Sequence, residues 1–551
     1  MYVDSSTVRR NGKAYTRHLL RQSFRQDGKV KHRTLANLSR CSAEEIEAIR
    51  LALRHKHDLT QLAPLTQSLA LRQGRSVGAV WLVHGLAREL GIADALGHDR
   101  PGKLALWQVI ARVIDQGSRL SAVRLAAAHA ALEVLGLGRF DEDDLYQNLD
   151  WLADHQAAIE ARWGRRLCGP AGPGLFLYDV TSSYLEGTDN AFAAFGYNRD
   201  GRRGKRQIVV GLLCDGRGRP LSIEVFPGNT QDVKTFAAQV DKIVARFGGG
   251  PVTFVGDRGL IKSRPVAALA AHGFHYITAI TKPQIEALLK QGVLQMDLFD
   301  DTLAEVETDD GRRYILRRNP ERVAEIAASR EDKYRRLCEA LAGQNRYLAD
   351  HPRARVAVAL RKLAERCHKL RIDRWVVLSQ DRRQIGIAKD RAALSEIAKL
   401  DGCYVLTTDL RGEAADKELV HQRYKDLALV EWAFRDCKTV NLELRPVFVR
   451  RQTRTRGHAL VVMFAYALVQ ELRARWIDLD MTVEEGIHQC ATLCATEVDI
   501  KGHNPYQLVP KPRPAVQQLF DAAGVRPPPA LPAKTAQVTT KTNLPKRRKK
   551  K

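Results

Sequence analysis

The stretch GLFLYDVTSSYLEG, residues 174–187, sets a single acid into an apolar run. Residues 175–178 and Val180 favour a buried β-strand, and Asp179 interrupts them. Burying a lone carboxylate costs free energy unless the group finds a partner, hydrogen bonds or a metal ion. The stretch therefore predicts that other parts of the chain converge on Asp179.

Composition narrows the class of partner. The chain has 551 residues, with 88 Lys and Arg against 63 Asp and Glu, a formal net charge of +25. Such an excess favours nucleic acid, and an anionic membrane surface is the weaker alternative. The longest apolar candidate, residues 459–469, is too short to cross a bilayer, and the N-terminus lacks a signal-peptide pattern. Nine scattered cysteines are typical of a reducing compartment, so we expect a cytoplasmic protein.

The pattern around Asp179 predicts an α/β fold with a mixed sheet flanked by helices. The expected order is β-β-β-α-β-α-β, which matches an RNase H-like core interrupted by an inserted domain. Strands are predicted at residues 175–180, 207–214, 221–226, 251–257 and 274–281, and helices at 232–247 and 263–271. A core of this type ends with a further helix that bears an acid.

Changes in composition along the chain predict six segments. An Asp27-Gly28 pair between alternating runs also predicts a hairpin in the first of them. The second segment is equally compatible with a plain helical support. The segments are a basic β-rich N-terminal region plus helix (1–75), a helical DNA-binding domain (76–170), the first part of the catalytic core (171–285), an inserted α+β domain (286–400), the second part of the core (401–505) and a basic, disordered tail (506–551).

Two further acids share the anomaly of Asp179. Asp257 ends the apolar run of PVTFVGDRG, and Glu431 lies on a narrow polar stripe of a predicted helix over residues 419–438. Three such acids fit shared divalent cations, because Mg²⁺ prefers carboxylate oxygens. Taken singly, Asp257 is also compatible with a turn and Glu431 with a surface salt bridge. The prediction therefore depends on the three acids together.

The motifs YDVTSSY, VGDRG and YKDLALVEWAFRDCK resemble, in this order, those of DDE-class transposases of bacterial insertion sequences. The last is similar to the signature Tyr-x2-Arg-x3-Glu-x6-Lys of insertion-sequence family four and the related family 1634. Tyr424, Glu431 and Lys438 stand at the matching positions. GYNRDGRRGKRQIVVGLL, EVFPGNTQD and LELRPVFVRRQTRTRGHAL resemble the framework of the group, so the resemblance covers roughly residues 170–475.

The resemblance implies a DNA transposase in which Asp179, Asp257 and Glu431 bind two Mg²⁺ (or Mn²⁺) ions. A water activated by one ion attacks a phosphodiester at the transposon end, and the freed 3′-hydroxyl then attacks target DNA. Tyr424 and Lys438 contact phosphate near the scissile bond. The partners implied are double-stranded DNA, both ends and target, and a second copy of the chain in a homodimer on DNA.

Two positions depart from the family pattern. Leu427 stands where the signature has Arg, and Asp409 stands where Asn is expected. A nearby base, Arg423 or Arg435, is the candidate substitute for the missing Arg. The departure keeps two alternatives open: a catalytically impaired copy that only binds DNA, and a two-metal nuclease without strand transfer.

Basic side chains beyond the acids are predicted to contact DNA. Arg258 and Arg435 lie beside the acidic motifs, and the remaining candidates fall in two basic clusters and in the terminal KRRKKK. Solvated loops are the alternative for both clusters. The candidates are Arg202, Arg203, Lys205 and Arg206 in RDGRRGKR, and Arg454 and Arg456 in RRQTRTRGH.

Overall fold

A computed structural model describes most of the chain. The contacts separate two units: one is Met1–Val77 with Leu493–Lys511 and Pro528–Ala533, and the other comprises Gly78–Thr492, Pro512–Pro527 and Lys534–Lys551. The six predicted segments stay a prediction. The described residues are 1–10, 13–57, 69–170, 172–186, 189–197, 199, 201, 204–247, 252–258, 260–261, 263–438, 442–446, 448–500, 506–532 and 536–542.

The elements are named in chain order. The strands are β1 (Tyr2–Arg10), β2 (Lys13–Gln26), β3 (Lys29–Asn37), β4 (Leu69–Ser76), β5 (Leu175–Tyr184), β6 (Gln207–Asp215), β7 (Pro220–Pro227), β8 (Thr253–Gly256), β9 (His275–Ala279), β10 (Ala304–Glu307), β11 (Arg313–Arg318), β12 (Val376–Asp381), β13 (Gln384–Lys389), β14 (Cys403–Thr408), β15 (Cys494–Ile500), β16 (Tyr506–Leu508) and β17 (Ala530–Leu531). The helices are α1 (Ala43–Arg54), α2 (Gly78–Leu90), α3 (Ile92–Leu96), α4 (Arg100–Ile114), α5 (Arg119–Ala128), α6 (Ala131–Leu135), α7 (Glu142–Asp154), α8 (Gln156–Cys168), α9 (Asp232–Phe247), α10 (Ser263–Ala271), α11 (Lys282–Lys290), α12 (Pro320–Asp350), α13 (Val356–Leu370), α14 (Arg391–Ala398), α15 (Lys417–Lys425), α16 (Leu427–Lys438), α17 (Gln452–Arg475), α18 (Val483–Ala491) and α19 (Pro514–Ala522), with a 3-10 turn at Met296–Leu298.

Two small antiparallel sheets form the first unit. β1, β2 and β3 follow one another as a meander, and β4 pairs with β15 in the sheet β17-β16-β15-β4. Asp27 and Gly28 connect β2 to β3 with φ of 52° and 72°. Positive φ at both central residues is typical of the tight hairpin turn that Asp-Gly favours. The predicted hairpin is confirmed.

The second unit is built around an eight-stranded sheet with the order β10-β11-β14-β9-β8-β5-β6-β7. β5, β8 and β9 are parallel, while β6 and β7 add antiparallel strands on the other side of β5. All five predicted strands form, and α9 and α10 follow the predicted bounds. This mixed sheet with helices is the RNase H-like arrangement expected from the sequence.

Successive side chains of β5 point to opposite faces of the sheet, and the two faces have different surroundings. Phe176, Tyr178 and Val180 are buried in a core with Phe236 of α9 and Phe254 of β8. Because successive side chains of a strand point to opposite faces, Asp179 points to the other face of the sheet. On β5 and β6 that other face is covered by α16. The strand is therefore anchored by apolar packing on one side and carries its acid on the other.

The predicted inserted domain is not wholly separate from the core. β10 and β11 join the main sheet, since β11 pairs with β14 in the register Ile315 to Leu406. The reason is that Ile315 and Leu316 bury completely there. Only the following part, from α12 to α14, packs around a core of its own, which includes Leu337, Leu348, Leu363, Trp375 and Ile385.

The predicted disorder of the tail over 506–551 is also wrong in its first part. Here α19 buries Val516, Leu519 and Phe520. The segment is rich in Pro and Ala, yet it contains an amphipathic helix. Pro514 lies in the first turn of that helix, where a missing N–H costs nothing. Further on, the Lys541 ammonium lies 2.8 Å from Asp141 Oδ2. The KRRKKK cluster lies outside the described residues.

We predict that Gly457→Ala destabilises the second unit. α17 packs against α7 there, and a Cβ at position 457 would collide with the Leu149 carbonyl group. A backbone group cannot move aside as the end of a flexible side chain can. We therefore expect the free energy of unfolding to fall by about 1–3 kcal/mol or more. A lower midpoint in thermal unfolding would report it. Gly343→Ala is the matched control, because a Cβ there on α12 meets nothing within 4 Å. It should be neutral or stabilising, and equal losses in both variants would contradict the packing argument.

Candidate active site

Parallel pairing brings the first two acids together. Tyr178 of β5 lies opposite Gly256 of β8, so the next residue of each chain segment, Asp179 and Asp257, lies at the same level. β8 ends at Gly256, one residue before the predicted strand end. Neighbours at one level of parallel strands share a face. Asp179 is half-buried and Asp257 is exposed.

The third acid arrives from a helix packed across the same face. α16 buries Val430, Ala433, Phe434 and Cys437, while Glu431 is exposed. Glu431, Asp179 and Asp257 line one open cavity of about 550 Å³. The structure thus brings the three predicted acids to the wall of a single cleft.

The predicted helix over residues 419–438 is in fact two helices. α15 begins after Asp416, whose side chain accepts a hydrogen bond from the Leu419 N–H at 2.7 Å, and it ends at Asp426. Asp side chains compete for local backbone and side-chain bonds, which favours helix ends over helix interiors. Gln422 donates to Asp426 Oδ1 at 3.0 Å, and α16 begins at Leu427. Tyr424 and Glu431 therefore stand on consecutive helices.

Burial and like charge both act on Asp179. Burial raises the pKa of its carboxyl to about 6, a hydrogen bond from the Val180 N–H and the charge of Arg199 oppose this, and the charges of Asp257 and Glu431 add to it. The charges of the other two acids therefore make the ionised form of Asp179 less favourable.

The donor set suits a hard divalent cation. All three groups are carboxylates, and among the described residues none of the three is in a salt bridge. Their oxygens are nevertheless apart: within the described chain, no three His, Cys, Asp or Glu side chains are close enough to hold a metal ion as they stand. Carboxylates brought close together repel one another unless a cation compensates their charge.

Cations and hydroxyl groups complete the cleft. Arg258, Lys282 and Lys425 line it, and the Tyr424 hydroxyl donates to Asp257 Oδ1 at 3.3 Å. Leu427 lines it too and is 8% exposed, so the position of the signature Arg presents an apolar side chain to the cleft. The described lining includes neither Arg423 nor Arg435.

Sequence reasoning missed Lys282, Lys425 and His421 as cleft residues. His421 is buried in the wall and hydrogen-bonds the Tyr404 hydroxyl. His421 lies three residues before Tyr424 on α15, so both side chains lie on one face of that helix, and this spacing would have indicated His421. Lys282 follows β9 at the start of α11, and nothing in its local pattern indicates the cleft.

Some of the other residues predicted to contact DNA are exposed, and others already face an acid. Arg435 is exposed and Lys438 half-buried on α16, and the described lining of the cleft does not include them. Arg454 Nε lies 3.0 Å from Asp150 and Arg456 Nε 3.7 Å from Glu224, so both guanidinium groups already face an acid.

In the other cluster, Lys205 and Arg206 are exposed, and the Arg206 guanidinium lies 5.6 Å from the centre of the exposed Phe195 ring. Arg202 and Arg203 lie outside the described residues.

Asp409, where Asn was expected, has a structural setting. Its Oδ1 accepts a hydrogen bond from the Tyr276 N–H at 2.9 Å, and Oδ2 lies 3.2 Å from His275 Nδ1. The side chain thereby fixes the start of β9 to the end of β14. Either an acid or an amide oxygen can accept that backbone bond.

Two family models match the chain, one within each of its two units. The family model described as "IS1634 family transposase, N-terminal domain" matches residues 3–64, and that described as "Transposase DDE domain" matches residues 170–468. No curated protein matches the sequence. Among solved structures, the chain is similar to one in "Cryo-EM structure of piggyBac transposase synaptic complex with hairpin DNA", with 9% identity, a TM-score of 0.34, and coverage of 76% of this chain and 69% of that chain.

A structural likeness that distant carries no argument, and the family models are the informative finding. The DDE model spans more than half of the chain, including every element that contributes to the cleft. A member of this family is a metal-dependent DNA enzyme. The chain therefore belongs to the DDE-type insertion-sequence transposases of the IS1634 family.

Proposed function

We propose that Asp179, Asp257 and Glu431 are the catalytic acids of this transposase and the ligands of its divalent cations, Mg²⁺ or Mn²⁺. The observation that supports the proposal is that three acids far apart in sequence line one cleft, and that none of them forms a salt bridge among the described residues. The reaction proposed is hydrolysis of a phosphodiester at each transposon end, followed by transfer of the new 3′-hydroxyl into target DNA.

The chain's own groups have distinct tasks in that reaction. Asp179 lies on β5 and Asp257 directly after the neighbouring strand β8, whereas Glu431 comes from α16, a helix packed across the same face of the sheet. Bound cations would activate a water and neutralise the phosphate charge. Arg258 and the Tyr424 hydroxyl, both beside Asp257, hold the scissile phosphate in place.

We propose that Lys425 supplies the charge that the family signature places at position 427. Lys425 lines the cleft two residues before Leu427, and it is exposed. A lysine ammonium acts as a point charge on phosphate, so it does not need the planar geometry of a guanidinium fork. This assignment replaces the earlier candidates Arg423 and Arg435. It also argues against an impaired copy, the alternative that Leu427 favours.

We propose that the remaining basic side chains and a second copy of the chain complete the DNA complex. Lys205, Arg206, Arg435 and Lys438 are the proposed phosphate contacts outside the cleft, and two copies hold the two transposon ends in a homodimer. The nine cysteines among the described residues are free, and no helix of the described chain is long and apolar enough to span a membrane. Both observations are compatible with the cytoplasmic, nucleoid-associated location that we propose.

Glu431→Gln should abolish DNA cleavage and joining while leaving DNA binding nearly intact, because it removes a metal-binding charge and keeps the shape. Labelled duplexes carrying the inverted repeats that flank the gene, incubated with Mg²⁺, would report cleavage and joining, and fluorescence anisotropy would report binding. Glu418→Gln, an exposed acid on α15, is the control and should behave as wild type. Cleavage by Glu431→Gln at the wild-type rate would reject the site. Wild-type cleavage without joining would favour a nuclease, and binding alone an impaired copy.

Lys425→Ala should lower the cleavage rate by roughly 10²-fold, the usual cost of removing one group that stabilises transition-state charge. Leu427→Arg added to that variant should restore much of the rate, because it returns a cation to the same cleft. Single-turnover cleavage kinetics would measure both. Arg423→Ala, two residues away on α15 and outside the described cleft lining, is the control. If Arg423→Ala slowed cleavage and Lys425→Ala did not, the assignment to Lys425 would be wrong.

Asp179→Asn should raise the melting temperature of the metal-free protein at pH 8 by a few degrees. The pKa of Asp179 lies at about 6, above the ordinary value of 3.8, so the ionised group destabilises the folded state increasingly as pH rises from about 4 to 6. That penalty is fully present at pH 8, and Asn removes it. Thermal unfolding with a chelator would show the rise, whereas Asp309→Asn, at an exposed position, should show none.

The same variant tests metal binding. Added Mn²⁺ should raise the melting temperature of wild type and of Asp309→Asn, since a ligand that binds only the folded state stabilises it. It should leave Asp179→Asn almost unchanged. An equal Mn²⁺ response in all three proteins would show that Asp179 is not a ligand.

A further inference from the structure

A second cavity lies away from the acids and is lined by buried arginines. Arg112, at the end of α4, and Arg119, at the start of α5, are 4% and 5% exposed. The cavity lies between this turn and the chain that follows α16, with Tyr146, Arg445 and His458 in its wall. No function described above uses these residues.

Neither guanidinium group forms a salt bridge among the described residues, although the charges of Glu443 and Asp115 act on Arg112. Arg112 donates to the carbonyls of Gln116 at 2.6 Å and Gly117 at 3.2 Å. Arg119 lies 3.1 Å from His458 Nδ1. The Nε of each arginine is buried without any hydrogen-bond partner.

His458 provides no negative charge either. Its Nε2 lies 3.1 Å from the Glu443 carbonyl, which only an N–H can satisfy, so Nδ1 is the acceptor for Arg119. Burial, together with the charges of Arg119 and Arg112, holds the pKa of His458 well below its ordinary value. The imidazole is therefore neutral at physiological pH.

The acids nearby are already engaged. Glu443 Oε1 lies 2.7 Å from Arg445 Nε, and Glu186 Oε1 lies 3.0 Å from Arg445 Nη1. Asp115 accepts a hydrogen bond from the Ser121 hydroxyl at 2.7 Å. Among the described residues the cavity wall thus holds three guanidinium groups, those of Arg112, Arg119 and Arg445, against one carboxylate, that of Glu443, and this excess of positive charge favours an anion.

We propose that this cavity binds one phosphate group of the DNA backbone. Guanidinium forks match the oxygens of phosphate, and the cavity opens beside Phe448, which is 61% exposed. Arg445, in the cavity wall, also contacts Tyr184 at the end of β5. Tyr184 is five residues beyond Asp179 on that strand, roughly 17 Å away at 3.3 Å per residue, so one duplex can reach both places. The proposal does not depend on which acids perform the chemistry.

The test compares Arg119→Gln with Arg124→Gln, an exposed position on the same helix. Inorganic phosphate at constant ionic strength should raise the melting temperature of wild type and of Arg124→Gln, and much less that of Arg119→Gln. In anisotropy titrations with a short duplex, Arg119→Gln should bind roughly tenfold more weakly. In a plot of log K for DNA binding against log salt concentration, the slope for Arg119→Gln should be smaller in magnitude by about one unit, as expected for one lost phosphate contact.

Each alternative result overturns a defined part of the proposal. An equal phosphate response in all three proteins would mean that the cavity binds no anion. If Arg119→Gln loses the rise in melting temperature with phosphate but binds DNA with unchanged affinity, the cavity is a site for free anions only. If Arg119→Gln does not fold, Arg119→Lys keeps the charge without the planar fork. We expect its phosphate response and DNA affinity to be reduced, and wild-type values would overturn the proposal.

Discussion

The carboxylate of Asp179 is the constraint around which the catalytic sheet is organised. A strand whose other face is an apolar core fixes this acid at a half-buried position, where its ionised form is unfavourable. Parallel pairing adds Asp257 at the same level, and α16 adds Glu431 from above the sheet. Three like charges in one cleft favour a compensating cation, which connects the fold to the metal dependence of the family.

Local pattern predicted much of the main sheet and two of its helices. The strands around residues 175–180 and 207–214 and the helices α9 and α10 follow from runs of apolar residues and their spacing. Long-range pairing was not predictable in this way. β11 is a short run inside a charged region, and only its pairing with β14, almost 90 residues later, makes it part of the main sheet. The buried face of α19 depended equally on tertiary contacts.

Sequence patterns predicted which acids line the cleft and predicted its cations less well. A basic residue looks the same in sequence whether it contacts DNA, pairs with an acid or supports a turn. Arg313 illustrates the point, since it is 1% exposed and donates to the carbonyls of Leu410 and Ala415. Arg454 pairs with Asp150. The net charge of +25 therefore indicates the class of partner without locating the surface that meets it.

The proposed chemistry requires a divalent cation held jointly by the three acids. A crystal structure of the protein soaked in Mn²⁺, with anomalous scattering recorded from manganese, tests this most directly. We expect anomalous peaks bounded by carboxylate oxygens of Asp179, Asp257 and Glu431. Manganese bound elsewhere, or a Glu431 side chain that stays turned away from the two aspartates, would contradict the account.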